Sequence, residues 1–344
     1  MSRKIHLLSL FSGIGAFESA LKKADIPFIL EGYSEIDSYA SRAYSLIHNV
    51  PEEKNLGDVT KINDLSNFPE IDLITYGFPC QDISSNGKKT GLFDEEGNQT
   101  RSGLFFDALK IIKETKPKIA IAENVKHLTS KRFQETFQLV LESLEKTGYT
   151  NFWKVLNAKD FNIPQQRERV FIVSLRNDAF GKIPDFQFPE GIPLQRRIKD
   201  ILDDKVDSKY NFAHSERAKN ILQNVLENGF PEIQGRTDKI LKVGNVYSDT
   251  ASTGFAGNIW DERGICSALQ TMQGGGRNPL VIKNGILRKY TPKECFRLMG
   301  FSDDDFSKVE GKFSDSRLYK MAGNSIVVDV LVALFNQLKK FDLI

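Results

Sequence analysis

The chain has 344 residues, 40% of them hydrophobic and 27% charged, which is enough for one large core and a smaller second unit. Its formal charge of +2 is nearly balanced, so a nucleic-acid partner would have to be held by a local basic face rather than by the total. Three scattered cysteines, Cys80, Cys266 and Cys295, exclude a disulfide framework and offer no Cys-x-x-Cys pair for zinc; no stretch nears about 18 consecutive apolar residues, and the start carries no signal-peptide core, so the expectation is a cytoplasmic protein with free thiols, no metal and no membrane contact.

In chain order, the first half alternates apolar runs of strand length with amphipathic runs of helix length, the pattern of a βαβ sheet with both faces covered. Strands are expected near residues 4–11, 28–33, 72–76 and 119–122. Helices are expected at 16–23 and 38–47, and again where Phe137, Val140, Leu141 and Leu144 recur at helical spacing before Gly148. Two late strands, 152–156 and 169–175, flank Asn162-Ile163-Pro164-Gln165. From about 185 to 285 the sequence turns polar and glycine-rich with one credible helix, 215–227, and reads as a second, loop-rich unit. Thr291-Pro292-Lys293-Glu294 then marks a sharp helix start, with Thr to cap, Pro at the first helical position and Glu to bond back. The apolar run 326–335 predicts a helix buried against the first domain, so the chain leaves the large domain and returns to it.

Three places carry chemistry. Phe11-Ser12-Gly13-Ile14-Gly15 is a tight glycine turn between a strand and a helix, and a second strand ends near Glu31 and Glu35, which suits a ribose-bearing cofactor. The third glycine of the dinucleotide fingerprint is absent, which argues against NAD and toward a smaller nucleoside; Asp58 can meet an adenine amino group. Ordinary turn glycines and solvated acids remain the alternative. Cys80, in Gly77-Phe78-Pro79-Cys80-Gln81, sits where an apolar strand runs into a loop, the usual ligand edge of an α/β sheet, although a lone cysteine is also commonly a small buried hydrophobe. Glu123 ends another apolar strand on that same rim, and Arg167 and Arg169, two apart, would share a strand face.

In these residues the chain resembles the cytosine-5 DNA methyltransferases over nearly its whole length. The blocks are Phe11-Ser12-Gly13-Ile14-Gly15, Gly77-Phe78-Pro79-Cys80-Gln81, Glu123-Asn124-Val125, Gln165-Gln166-Arg167-Glu168-Arg169, Thr291-Pro292-Lys293-Glu294-Cys295 and Gly323-Asn324-Ser325. The resemblance implies an α/β, Rossmann-like domain that uses S-adenosylmethionine, residues 1–185 completed by 318–344, and a smaller, loop-rich target-recognition domain, 186–317, with double-stranded DNA between them. It implies Cys80 as nucleophile on carbon 6 of a flipped cytosine, Glu123 holding a proton at ring nitrogen 3, and Arg167 and Arg169 orienting base and carboxyl. The cofactor positions it implies are Phe11, Gly13, Gly15, Glu35 (in preference to Glu31), Asp58, Pro79, Leu104, Asn324 and Ser325.

The loop from Gln81 through Ser84, Asn86, Lys88 and Lys89 to Arg101 resembles one that closes over DNA, with Lys88-Lys89 as a plain solvated tip the alternative. Gln273 and Arg277, in a glycine-rich segment, would read bases or form an ordinary loop. Ala268 stands where the family usually has the threonine of a Thr-Leu pair. A cysteine hydrolase would need His127 to activate Cys80, and a catalytically silent DNA-binding protein would be expected to lack Cys80, Glu123 or the glycines. A monomer of this kind fits a bacterial or phage modification enzyme, with any restriction endonuclease acting separately.

Overall fold

In the computed structural model, the described residues are 3–79, 91–94, 96–212, 215–230, 238–247, 256–271 and 277–344. Of the expected site residues, Cys80, Gln81, Ser84, Asn86, Lys88, Lys89 and Gln273 lie outside them. The chain divides into two compact units, one of Met1–Leu156, Glu168–Glu190 and Val330–Ile344, the other of Asn157–Arg167 and Gly191–Asp329. The sequence-based division grouped 157–167 and 318–329 with the large domain, whereas these residues cluster with the second unit.

The first unit is built on strands β1 (Ile5–Leu10), β2 (Phe28–Ser34), β3 (Leu73–Tyr76), β4 (Ile119–Val125) and β5 (Tyr149–Asn157). The two-residue β6 (Gln165–Gln166) belongs to the second unit, and β7 (Glu168–Arg176) returns to the first. The six-stranded sheet has the order β2-β1-β3-β4-β7-β5. Its β1–β2, β1–β3 and β3–β4 pairs are parallel, and β7 runs antiparallel to β4. Helices α1 (Ala16–Lys23), α2 (Ser38–His48), α3 (Phe105–Thr115) and α4 (Gln134–Glu145) connect the strands. Central strands buried on both faces read as unbroken apolar runs, and Leu73-Ile74-Thr75-Tyr76 is buried at every position. One face packs Leu8, Ile74, Ala120 and Ile172 against Phe105 and Ile112 of α3 and Phe137 and Val140 of α4.

The second unit carries β8 (Lys242–Asn245), β9 (Asn258–Trp260), β10 (Cys266–Ser267), β11 (Leu280–Lys283) and β12 (Ile286–Lys289), with α5 (Glu216–Asn228) before them. Strands β12-β11-β9-β8 form a four-stranded sheet, and β10 pairs with β6. Helix α5 buries Ala218 and Val225 against Ile259, Leu280, Ile282 and Leu287. A unit expected to be loop-rich thus holds a small covered sheet. Helices α6 (Pro292–Leu298), α7 (Asp303–Ser307) and α8 (Asp315–Asn324) follow, and α9 (Val328–Lys340) leads back into the first unit. Helix α6 starts as the sequence predicts: the Thr291 hydroxyl accepts from Glu294 N–H, and the Glu294 carboxylate accepts from Thr291 N–H. By length and hydropathy the stretch Asp315–Lys340 would suffice to cross a membrane, but 67% of its most apolar window is buried.

Candidate active site

Two clusters of expected site residues lie in the first unit, the first around the end of β1. Phe11, Gly13 and Gly15 all have left-handed backbone, with φ of 52°, 56° and 81°. Glycine adopts that region freely, whereas Phe11 does so at a cost of about 1 kcal/mol. A Cβ on Gly15 would overlap the imidazole of His48. His48 is buried; its Nε2–H donates to the Ile14 carbonyl (3.0 Å) while Nδ1 accepts from the Lys22 ammonium (3.2 Å), which fixes the tautomer. The glycine turn is therefore pinned from behind by α2.

Glu35 stands directly in front of that turn. Its Oε2 accepts from Gly13 N–H (2.9 Å) and its Oε1 from Asp37 N–H (2.7 Å). Burial raises its pKa above the ordinary carboxyl value, and the two amide bonds oppose that rise. An ionised carboxylate offers about four acceptor sites, so two N–H donors leave capacity for two ribose hydroxyls. Glu31, the rejected alternative, is engaged with His6 Nδ1 at 2.7 Å. Asp58 caps the 3-10 turn Val59–Lys61, and its Oδ1 accepts from Thr60 N–H (3.0 Å) and Thr60 Oγ1 (2.8 Å); these bonds hold its pKa down, keeping it charged. Ser34 Oγ donates to the Gly57 carbonyl (2.6 Å), and Ser12 N–H donates to the Ser34 carbonyl (3.0 Å), so the glycine turn and both acidic segments are cross-tied. Pro79 and Leu104 are half-buried, and Leu104 packs against the sheet core. Together, left-handed turn, shared carboxylate and second acid fit a ligand that carries a nucleoside.

The second cluster lies at the ends of β3 and β4. Their parallel register pairs Tyr76 with Ala122, so Phe78-Pro79 and Glu123-Asn124 leave the same edge of the sheet. The buried Asn124 amide donates to the Phe78 carbonyl at 3.1 Å, two residues before Cys80, while its Oδ1 accepts from Val125 N–H at 2.8 Å. The β4–β7 register sets Arg169 opposite Val125 and on the same face as Glu123; Arg169 Nε lies 3.1 Å from Glu123 Oε1, both side chains being mostly buried. A guanidinium against a carboxyl in a partly dry setting can hold the acid in place and offset charge that develops beside it. His127, the base a cysteine hydrolase would require, packs edge-on against Phe133.

Arg167 takes a different course from Arg169. The sequence pattern placed both on one strand face, but the strand breaks between β6 and β7 at Arg167 itself. Its guanidinium is buried in the second unit and donates to the carbonyls of Leu269 (2.9 Å), Gly323 (3.1 Å) and Ser325 (2.8 Å). The neighbouring Gln165 adds bonds to the Leu298 carbonyl and Leu269 N–H, both 2.8 Å. Asn324 is exposed and accepts from Thr271 Oγ1 at 2.5 Å; Ser325 is buried. Arg101 and Arg277 are exposed. Cys266 and Cys295 are fully buried; burial pushes Cys266 up to about 12 and Cys295 well above its ordinary value, so neither is a nucleophile. Sequence reasoning missed Asn55 and His48, which carry no motif of their own; the nearest signal was the Asn-x-Gly spacing of Asn55-Leu56-Gly57.

The fold is that of known methyltransferases. It matches the crystal structure of Dnmt2 from S. pombe with a TM-score of 0.67, covering 98% of this chain and all of that one at 22% identity. A putative DNA modification methyltransferase of an E. coli prophage matches at the same TM-score and 18% identity, over 98% of this chain and 99% of that one. The chain belongs to the C-5 cytosine-specific DNA methylase family, whose model matches residues 5–340. It is 31% identical to the orphan methyltransferase M.SPBetaI of Bacillus phage SPbeta over 97% of each chain. It is 34% identical to the type II methyltransferase M.HhaI of Haemophilus parahaemolyticus, over 95% of this chain and 92% of that protein.

Proposed function

We propose that this family member methylates carbon 5 of a flipped cytosine in a specific duplex DNA sequence through a covalent adduct of Cys80 at carbon 6. The observation that carries the reading is the Glu123–Arg169 pair beside the Asn124 amide, which holds the main chain two residues before Cys80. Carbon 5 of cytosine is a poor nucleophile. Addition of the Cys80 thiolate to carbon 6, with Glu123 holding a proton at nitrogen 3, turns the ring into an enamine. Arg169 steadies Glu123 and offsets negative charge. S-adenosylmethionine, when bound, supplies an electrophilic methyl group, and Gly13, Glu35 and Asp58 are the residues that would hold it. Loss of the carbon 5 proton and elimination of Cys80 free the product. A stacked base cannot reach these groups, which is why the cytosine must leave the helix.

Phe11, Gly15, Pro79 and Leu104 complete the donor pocket of the first unit in this reading. Gln81, Ser84, Asn86, Lys88, Lys89 and Arg101 contact the DNA, the two lysines at phosphates, and Gln273 and Arg277 read base edges. Arg167 serves as an anchor of the second unit, and that unit carries target recognition. The relatives' type II and orphan names support a modification enzyme. In this reading it acts in the cytoplasm, as a monomer on double-stranded DNA, with any cognate endonuclease a separate protein.

The test is transfer of labelled methyl groups. Cys80→Ser should lower it by roughly three orders of magnitude or more while leaving donor binding intact. DNA containing 5-fluorocytosine should trap a complex that survives denaturation, because elimination is blocked. Full activity in Cys80→Ser, or the absence of any trapped adduct with active wild type, overturns the covalent mechanism. Specific DNA binding without any transfer by wild type would identify a catalytically silent binder.

A further inference from the structure

The loop between α2 and β3 carries a side chain for which the proposed chemistry has no direct use. The Asn55 amide makes four hydrogen bonds. Its Oδ1 accepts from Glu35 N–H (3.0 Å) and Gly57 N–H (2.9 Å), and its Nδ2 donates to the Glu35 carbonyl and to Ser41 Oγ, both at 2.9 Å. An asparagine has two N–H donors and an oxygen with two lone pairs, so its entire capacity is committed to these groups. Glu35 is thereby gripped on both sides of its own peptide, and the same amide fixes the residue before Asp58. The main chain reinforces this, with Leu56 N–H donating to the Tyr33 carbonyl at 2.6 Å.

We propose that Asn55 is a positioning residue for the methyl donor: it sets the spacing between Glu35 and Asp58 so that one nucleoside can engage both, its ribose at the first and its adenine at the second. The inference rests on the cofactor reading given above. Neither carboxylate fixes that spacing by itself, since Asp58 is capped locally by Thr60 and Glu35 is bonded to Gly13 and Asp37. Besides Asn55, described side-chain ties between these two segments are Ser34 Oγ to the Gly57 carbonyl and Lys54 Nζ to the Glu31 carbonyl, and neither bonds Glu35 itself.

S-adenosylmethionine binding by calorimetry, followed by steady-state transfer with varied donor and varied DNA, tests the assignment in wild type, Asn55→Ala and Asn55→Asp. Asn55→Ala should raise both the Kd and the KM for S-adenosylmethionine by about tenfold or more, with kcat at saturating donor and the KM for DNA within about twofold. Asn55→Asp keeps both acceptor contacts and loses the donors, so it should show the same split in a fold that survives even if the alanine variant does not. A folded variant with unchanged melting temperature that binds the donor within about twofold of wild type overturns the assignment, as does a fall in kcat at unchanged donor KM. Wild type that binds no S-adenosylmethionine overturns the cofactor reading itself and this inference with it.

Discussion

Glu18 lies in the first turn of α1, buried to 1% exposure, close to the hydroxyls of Ser9 and Tyr44 but without hydrogen-bond geometry to any described group. Burial raises its pKa, and the neighbouring hydroxyls only partly offset the rise. The sign follows: the folded state prefers the protonated acid, so the stability that the protonated carboxyl contributes is complete below the unfolded pKa near 4.5 and is lost as pH rises through the higher folded value. Glu18→Gln, which does not titrate, should match wild type near pH 4 and exceed it at pH 8 by about 1 kcal/mol or more. Melting temperatures across that range decide it, and a pH-independent difference would exclude titration of Glu18 as the cause. At this scale the sequence was readable where a residue's place follows from its own strand. Glu123 ends an apolar run, and its partner Arg169 opens another. It was unreadable where the role depends on who arrives from elsewhere, as with Asn55, whose partners sit 2, 14 and 20 positions away.

Among the elements, the β11–β12 hairpin turns on Asn284-Gly285, both left-handed with φ of 51° and 73°, the pairing that a two-residue turn matched to strand twist requires. A Cβ at Gly285 would touch Leu226 at ordinary contact distance, so the cost of Gly285→Ala is conformational rather than steric, about 1 kcal/mol. Denaturant titration should show that loss, with donor binding unchanged; an unaltered midpoint would mean that the turn does not hold the hairpin. Strands β8, β9, β11 and β12 escaped the sequence reading because runs of three or four residues are too short to display a period, and the Asn-Gly signal went unused. Helix α3 escaped as well: it has no side-chain cap, and the Leu104 before it is already helical. The sheet of the first unit was legible because its central strands are buried on both faces, and α6 because its capping box is local.

Across the whole molecule, the two larger sheets rest on clusters of unequal size. The cluster on one face of the six-stranded sheet draws on β1, β3, β4, β7, α3 and α4, whereas that between α5 and the four-stranded sheet gathers seven buried residues among those described. Local opening free energy follows the apolar surface that must be exposed, so amides of β9, β11 and β12 should exchange faster than those of β1, β3 and β4 in native-state hydrogen exchange. Equal protection would make the chain a single cooperative unit. Arg167 adds a property of another kind. It binds Leu269, Gly323 and Ser325 through their carbonyls, which every amino acid possesses. Substitutions at Leu269 and Ser325, and drift in the segment that follows Leu269, therefore need not forfeit these bonds. Descendants of such a scaffold can diverge in that segment while inheriting the same fastening, and a segment grafted from another lineage would meet the same guanidinium.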